Sequence, residues 1–270
     1  MKNDFLILGV IILASAGFVY ADVSGSLLPE SDGSYTQWTP KGSSTHYSKV
    51  DESVCNGDSD YVYTNSIASR DSYQLNLTSI PDGAVITQIG VTPCASRNKT
   101  GSGTSVMDLF YRWNQVNSAD AGNYNPTGTV PTVMSEHNFS GLNLVKGSAS
   151  SLQVGAVLSS GNKGARLSQI TARVTYIPLT APSNLTAQAV SGTSTASVLL
   201  TWIDNSSTEF GFEIERSTDG VNFVLVSTAS ANSTSINDNV PSSGTYWYRV
   251  RAYNMGGKSG YTNIASVVVP

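Results

Sequence analysis

The chain has 270 residues, 15 Lys+Arg against 19 Asp+Glu, a net charge of −4 and only 13% charged residues. That balance argues against an electrostatic nucleic-acid binder, which gathers basic charge to neutralise phosphates, and the 40% hydrophobic content argues against intrinsic disorder. At roughly 100–200 residues per domain, the length predicts two domains.

At the N-terminus, Lys2 precedes an apolar run from Phe5 to Val19, followed by Tyr20, Ala21 and the polar Asp22. A short positive end, a brief apolar stretch and a small residue at the cut describe a secretory signal peptide over residues 1–21, cleaved after Ala21. The run is shorter than the ~20 apolar residues that span a bilayer. The competing reading is a retained anchor or filament-core helix, the one case that brings membrane contact. Either reading places the protein outside the cell or on its surface.

After residue 21 no segment sustains a 3.6-residue period. Short β-branched and aromatic runs alternate with Gly, Ser, Asn, Asp and Pro clusters, the pattern of an all-β sandwich or barrel. In residues 22–178, strands are expected at Tyr61–Tyr63, Asp71–Leu75, Val85–Thr92, Ser105–Trp113, Leu152–Leu158 and Leu167–Tyr176. Six strands over this length suit a jelly-roll-like sandwich, with a long Asn-, Gly-, Thr- and Pro-rich loop region between 114 and 135.

Three groups of residues in this first domain are candidates for chemistry. Asp51, Glu52, Asp58 and Asp60 form the one acidic cluster; it reads as a solvated loop, as oxygen ligands for Ca²⁺, or as paired carboxylates for glycoside hydrolysis. Calcium is the only cofactor these residues suggest. Cys55 and Cys94 have no metal-type spacing, and export permits a disulfide between them; two separately buried thiols are the alternative. The aromatics Tyr35, Trp38, Tyr47, Tyr61, Tyr63 and Tyr124 lie in or beside polar stretches. They are candidates for stacking on a sugar, or else partly buried aromatics whose polar ends find partners. His46 and His137, the only two histidines, have no motif around them and read as surface or turn residues. Six Asn-x-Ser/Thr sites, beginning with Asn76, arise readily in a chain this rich in Asn, Ser and Thr.

Pro178 and Pro182 bracket a short stiff linker, and residues 179–270 follow as a second domain. Val198–Trp202, Phe210–Arg216, Tyr246–Ala252 and Ile264–Val269 read as strands, with Tyr246, Tyr248, Val250 and Ala252 on one face and Trp247 on the other. The series Pro182-Ser183-Asn184-Leu185, Leu200-x-Trp202, Gly211-Phe212-Glu213-Ile214-Glu215-Arg216 and Tyr246-x-Tyr248-Arg249-Val250-x-Ala252 resembles a fibronectin type III domain over about 90 residues. The resemblance implies a seven-stranded immunoglobulin-like sandwich with Tyr246 as a corner tyrosine. The family's Arg-Gly-Asp tripeptide is absent, so integrin binding does not carry over.

In the first domain, His46-Tyr47-x-x-Val50-Asp51-Glu52, Asp58-x-Asp60-Tyr61-Val62, Arg70-Asp71-Ser72-Tyr73 and Ile80-Pro81-x-Gly83-Ala84-x-Ile86 resemble a β-sandwich module of bacteriophage structural proteins and secreted bacterial proteins. That resemblance implies a surface role and no catalytic chemistry. No H-E-x-x-H, G-x-S-x-G, P-loop or strand-linked G-x-G-x-x-G motif is present. The expectation is therefore a non-enzymatic recognition or adhesion protein that meets an extracellular glycan or protein surface through the first sandwich. The alternative is a structural subunit of a filament or surface layer, self-assembled through strand edges.

Overall fold

Period-two patterning carries the backbone into strands, as predicted, and the described residues contain no α-helix, only a 3-10 turn at Tyr47–Lys49. The computed structural model describes residues 10–14, 17–42, 45–55, 60–190 and 196–270. The first domain contains β1 (Val10–Ala14), β2 (Gly17–Val23), β3 (Pro29–Thr36), β4 (Thr39–Pro40), β5 (Val62–Thr64), β6 (Arg70–Leu75) and β7 (Val85–Arg97). It continues with β8 (Ser105–Trp113), β9 (Val116–Asn117), β10 (Ala121–Tyr124), β11 (Thr132–Val133), β12 (His137–Val145), β13 (Leu152–Gly161) and β14 (Ala165–Ile177).

These strands form two antiparallel sheets. In one, β14 pairs with β7, β5 and β2, while β7 also holds β11 and β12; the other runs β10-β8-β13-β6-β3. The pairs β7–β14 and β8–β13 are nested, so the chain folds back on itself in the jelly-roll-like manner. The alternating residues Leu152, Val154, Ala156 and Leu158 of β13 point to the opposite sheet, where Ile89, Val91, Leu167 and Ile170 meet them in one buried cluster. The region between 114 and 135, expected as loop, carries β9, β10 and β11. The pairing of β10 with β8 shifts register between Ala121 and Tyr124, which hides the strand from a periodicity reading.

The expected signal segment overlaps β1 and most of β2, which pair as a hairpin. A short apolar run fits a strand as well as a signal core, and periodicity does not separate the two. The expected cut after Ala21 falls inside β2, and the next residues, Asp22 and Val23, pair with Tyr176 and Thr175 of β14. No helix among the described residues is long and apolar enough to cross a membrane.

The second domain contains β15 (Ser183–Val190), β16 (Ser197–Ile203), β17 (Gly211–Ser217), β18 (Val224–Ser230), β19 (Ser235–Asn239), β20 (Gly244–Tyr253) and β21 (Ala265–Val269). They form sheets β15-β16-β19 and β18-β17-β20-β21, the seven strands the resemblance implies. Tyr246, Tyr248, Val250 and Ala252 are buried together with Trp202 and Phe212, whose rings lie 5.4 Å apart. Tyr246 Oη donates to the Ser242 carbonyl at 2.9 Å, four residues upstream, as a corner tyrosine does. Trp247 takes the opposite face and is half-buried. On that face Glu213 and Glu215 of β17 pair with Arg251 and Arg249 of β20 at 2.8 and 2.6 Å.

The two hydrophobic clusters divide between Tyr176 and Leu179. Across the division the backbones approach closely, because glycines line the contact. Asn254 Nδ2 donates to the Gly83 carbonyl at 2.8 Å and its Oδ1 accepts from the Gly256 amide at 2.9 Å. A Cβ on Gly83 would lie 2.7 Å from Leu179, and one on Gly256 would lie 2.8 Å from Val145.

Candidate functional site

Two of the aromatics expected at a sugar-binding surface are core residues instead. Trp38 is 2% exposed and Tyr124 is 8% exposed. Trp38 Nε1 donates to the Ser69 carbonyl at 3.0 Å, and Tyr124 Oη donates to the Ser135 carbonyl at 2.6 Å. Burial pushes the Tyr124 hydroxyl pKa up. Both rings are therefore removed from any ligand surface, and their polar ends are satisfied inside the fold. Tyr47 is half-buried against the same core, its amide donating to Asp32 Oδ1 at 2.6 Å. Tyr35 sets its ring edge-to-face with Phe110, and its Oη accepts from Asn117 Nδ2 at 2.9 Å.

Beside Trp38 lies a node that the sequence motifs do not mark. His46, expected at the surface, is 7% exposed, with Nδ1 placed 2.8 Å from Asp71 Oδ2. Tyr73 Oη donates to the same oxygen at 2.8 Å, and the Trp38 amide also donates to the Asp71 carboxylate. Asp71 and Tyr73 are both fully buried. Desolvation lifts the Asp71 pKa to about 6 against the pull of its three donors, and burial lifts that of Tyr73 well above the usual phenol range. The node ties the 3-10 turn to β6 and has no open approach for a substrate. A periodicity reading finds Asp71 and Tyr73 on one strand face, but nothing in the spacing joins them to His46 on a separate element.

The remaining predicted aromatics come together at one end of the sandwich. Tyr61 and Tyr63, both half-buried, meet edge-to-face at 6.0 Å. β5 is sandwiched between β4 and β14, so Lys41, just after β4, and Arg166 on β14 both reach the Tyr61 ring, at 4.8 and 4.6 Å. Arg166 Nε also donates to Asn98 Oδ1 at 2.9 Å, and Asn98 Nδ2 donates to Asn65 Oδ1 at 3.1 Å. The result is a cluster of half-buried tyrosines, side-chain amides and cationic heads.

The acidic cluster is spread along the segment leading to this patch. Asp60 pairs with Lys49 at 2.9 Å. Asp51 and Glu52 are half-buried, and the Glu52 carbonyl accepts from Gln169 Nε2 at 2.6 Å. Asp58 lies outside the described residues. Among the described residues no three His, Cys, Asp or Glu side chains gather in a way that could hold a metal ion. Cys55 and Cys94 form the expected disulfide, with Cα atoms 5.8 Å apart, anchoring this segment to β7. His137 packs against Phe139 with ring centroids 4.7 Å apart.

No family model matches the chain, and no curated protein matches it by sequence. Among solved structures it is similar to an Fn3-like protein from Clostridium thermocellum, at 26% identity over 32% of this chain and 88% of that one, with a TM-score of 0.28. A two-domain fibronectin type III segment of chicken tenascin is similar at 10% identity over 79% of this chain and 99% of that one, TM-score 0.34. A β-1,2-glucanase from Parabacteroides distasonis is similar at 12% identity over 90% of this chain but only 37% of its own length, TM-score 0.29. Fibronectin type III-like proteins are thus among the structural neighbours, at TM-scores too low to extend to function.

Proposed function

We propose that this chain is a non-enzymatic recognition or adhesion module, exported to the cell surface or beyond, that binds a glycan or a surface partner through its first sandwich. The observation that carries this reading is the Tyr61–Tyr63 pair with Lys41, Arg166 and Asn98 around it, at the end of a rigid all-β scaffold. The disulfide fits an oxidising compartment. The second domain is read as a fibronectin type III spacer, supported by its seven strands and the Tyr246 corner.

A glycan array probed with the full chain tests this. Bound glycans should lose affinity about 10-fold or more with Tyr61→Ala or Tyr63→Ala, the scale of one aromatic contact. Equal binding by both variants would overturn the assignment.

The subunit reading has one observation in its favour. β18 is a sheet edge, paired only with β17, and its sequence carries no charge, proline or glycine to blunt it. Val224 and Leu225 are 61% and 55% exposed there. Light scattering decides between the readings: oligomers dispersed by Leu225→Lys favour the subunit, and a stable monomer rejects it.

A further inference from the structure

We infer that the loops beyond Tyr61 form an anion-binding rim that takes the carboxylates or sulfates of an acidic polysaccharide. This inference rests on the glycan reading above and narrows its ligand. The rim joins three segments, 93–105, 125–135 and 158–170, which together contain Arg97, Lys99, Lys163 and Arg166 and no Asp or Glu. The fold brings them side by side. The Lys99 amide donates to the Lys163 carbonyl at 3.0 Å, and Arg97 pairs with Ala165 across the β7–β14 ladder.

The heads of Arg97 and Lys163 are held by neutral oxygens. Arg97 Nη1 donates to the Gly103 carbonyl at 2.9 Å, and its Nη2 donates to the Thr127 carbonyl. Lys163 Nζ donates to the Thr100 carbonyl at 2.9 Å. Lys99 is exposed. A carbonyl orients a cation without cancelling its charge. Other cations are paired with carboxylates, as in Arg70–Asp120, Lys146–Asp82 and Arg249–Glu215. Arg97, Lys99 and Lys163 make no ion pair among the described residues. In a chain of net charge −4, these three cations stand side by side at the end where Tyr61 and Tyr63 stand. Three such cations are fewer than the roughly 6–10 phosphate contacts of a strong nucleic-acid binder. Their aromatic and amide neighbours suit a polyanionic sugar.

Titration calorimetry of the full chain with polygalacturonate, dextran sulfate, neutral dextran and single-stranded DNA tests the rim. At least one acidic polysaccharide should bind, the two acidic arms separating carboxylate from sulfate. Its log K should fall against log salt with a slope of about −2 to −4. The double variant Lys99→Glu, Lys163→Glu should weaken it about 10-fold or more, the Gln double variant less, with unfolding temperatures unchanged. The inference fails if neither acidic polymer binds, if the folded double variants bind as the parent does, or if DNA binds more tightly. Acidic binding that survives Tyr61→Ala would keep the rim and remove the aromatic reading. Neutral glycans bound through Tyr61 with no gain from acidity would do the reverse.

Discussion

Asp71 sits in the core with its carboxylate on His46, Tyr73 and the Trp38 amide. Its folded pKa of about 6 stands above the ordinary 3.8, so between these values the folded chain holds a proton that the unfolded chain has lost. The stability Asp71 contributes is therefore full below about pH 4 and lost as pH rises through about 6, on the order of 2–3 kcal/mol. Urea denaturation from pH 4 to 8 should show the parent losing that much relative to Asp71→Asn across the window. A gap that stays flat with pH would mean that the carboxyl titrates as a solvated one. Tyr73→Phe should cost about 1–3 kcal/mol by the same method, since it deletes one donor from a buried acceptor. Little of this node is legible in the sequence. Trp38 stands between polar Gln37 and Thr39, and β4 spans only Thr39–Pro40, too short for any alternation to show which way its neighbours point.

At the scale of elements, legibility follows apolar content. β8, β13 and β20 are rich in apolar residues and are found at their predicted places. β3 is missed because its residues, Pro29-Glu30-Ser31-Asp32-Gly33-Ser34-Tyr35-Thr36, are nearly all polar; it is an edge strand held by backbone pairing to β6. The Tyr61–Tyr63 patch was half legible. Both tyrosines are visible in and just before β5, but Lys41 and Arg166 join them only through tertiary pairing. The disulfide staples the segment before β5 to β7 across 39 residues. Its removal by Cys55→Ser with Cys94→Ser should lower the stability of the first domain by about 3–4 kcal/mol. Urea denaturation of the double variant against the parent would check it.

For the whole molecule, the junction sets behaviour that neither domain shows alone. A side chain at Gly256 or Gly257 would run into the facing backbone of Lys146 or Asp82, and one at Gly83 into the Leu179 side chain. Gly256→Val should cost about 1–3 kcal/mol of overpacking. Calorimetry should give one coupled transition for the parent and two for the variant. A single unchanged transition would show that the contact contributes nothing to cooperativity. The Asn254 amide, bridging to the Gly83 carbonyl while its oxygen closes the turn at Gly256, works like a latch between two rigid bodies. With the latch closed, the first sandwich is held on a fixed bearing from the second. The molecule then measures out a direction as well as a distance, which a Gly/Ser tether of the same length does not do.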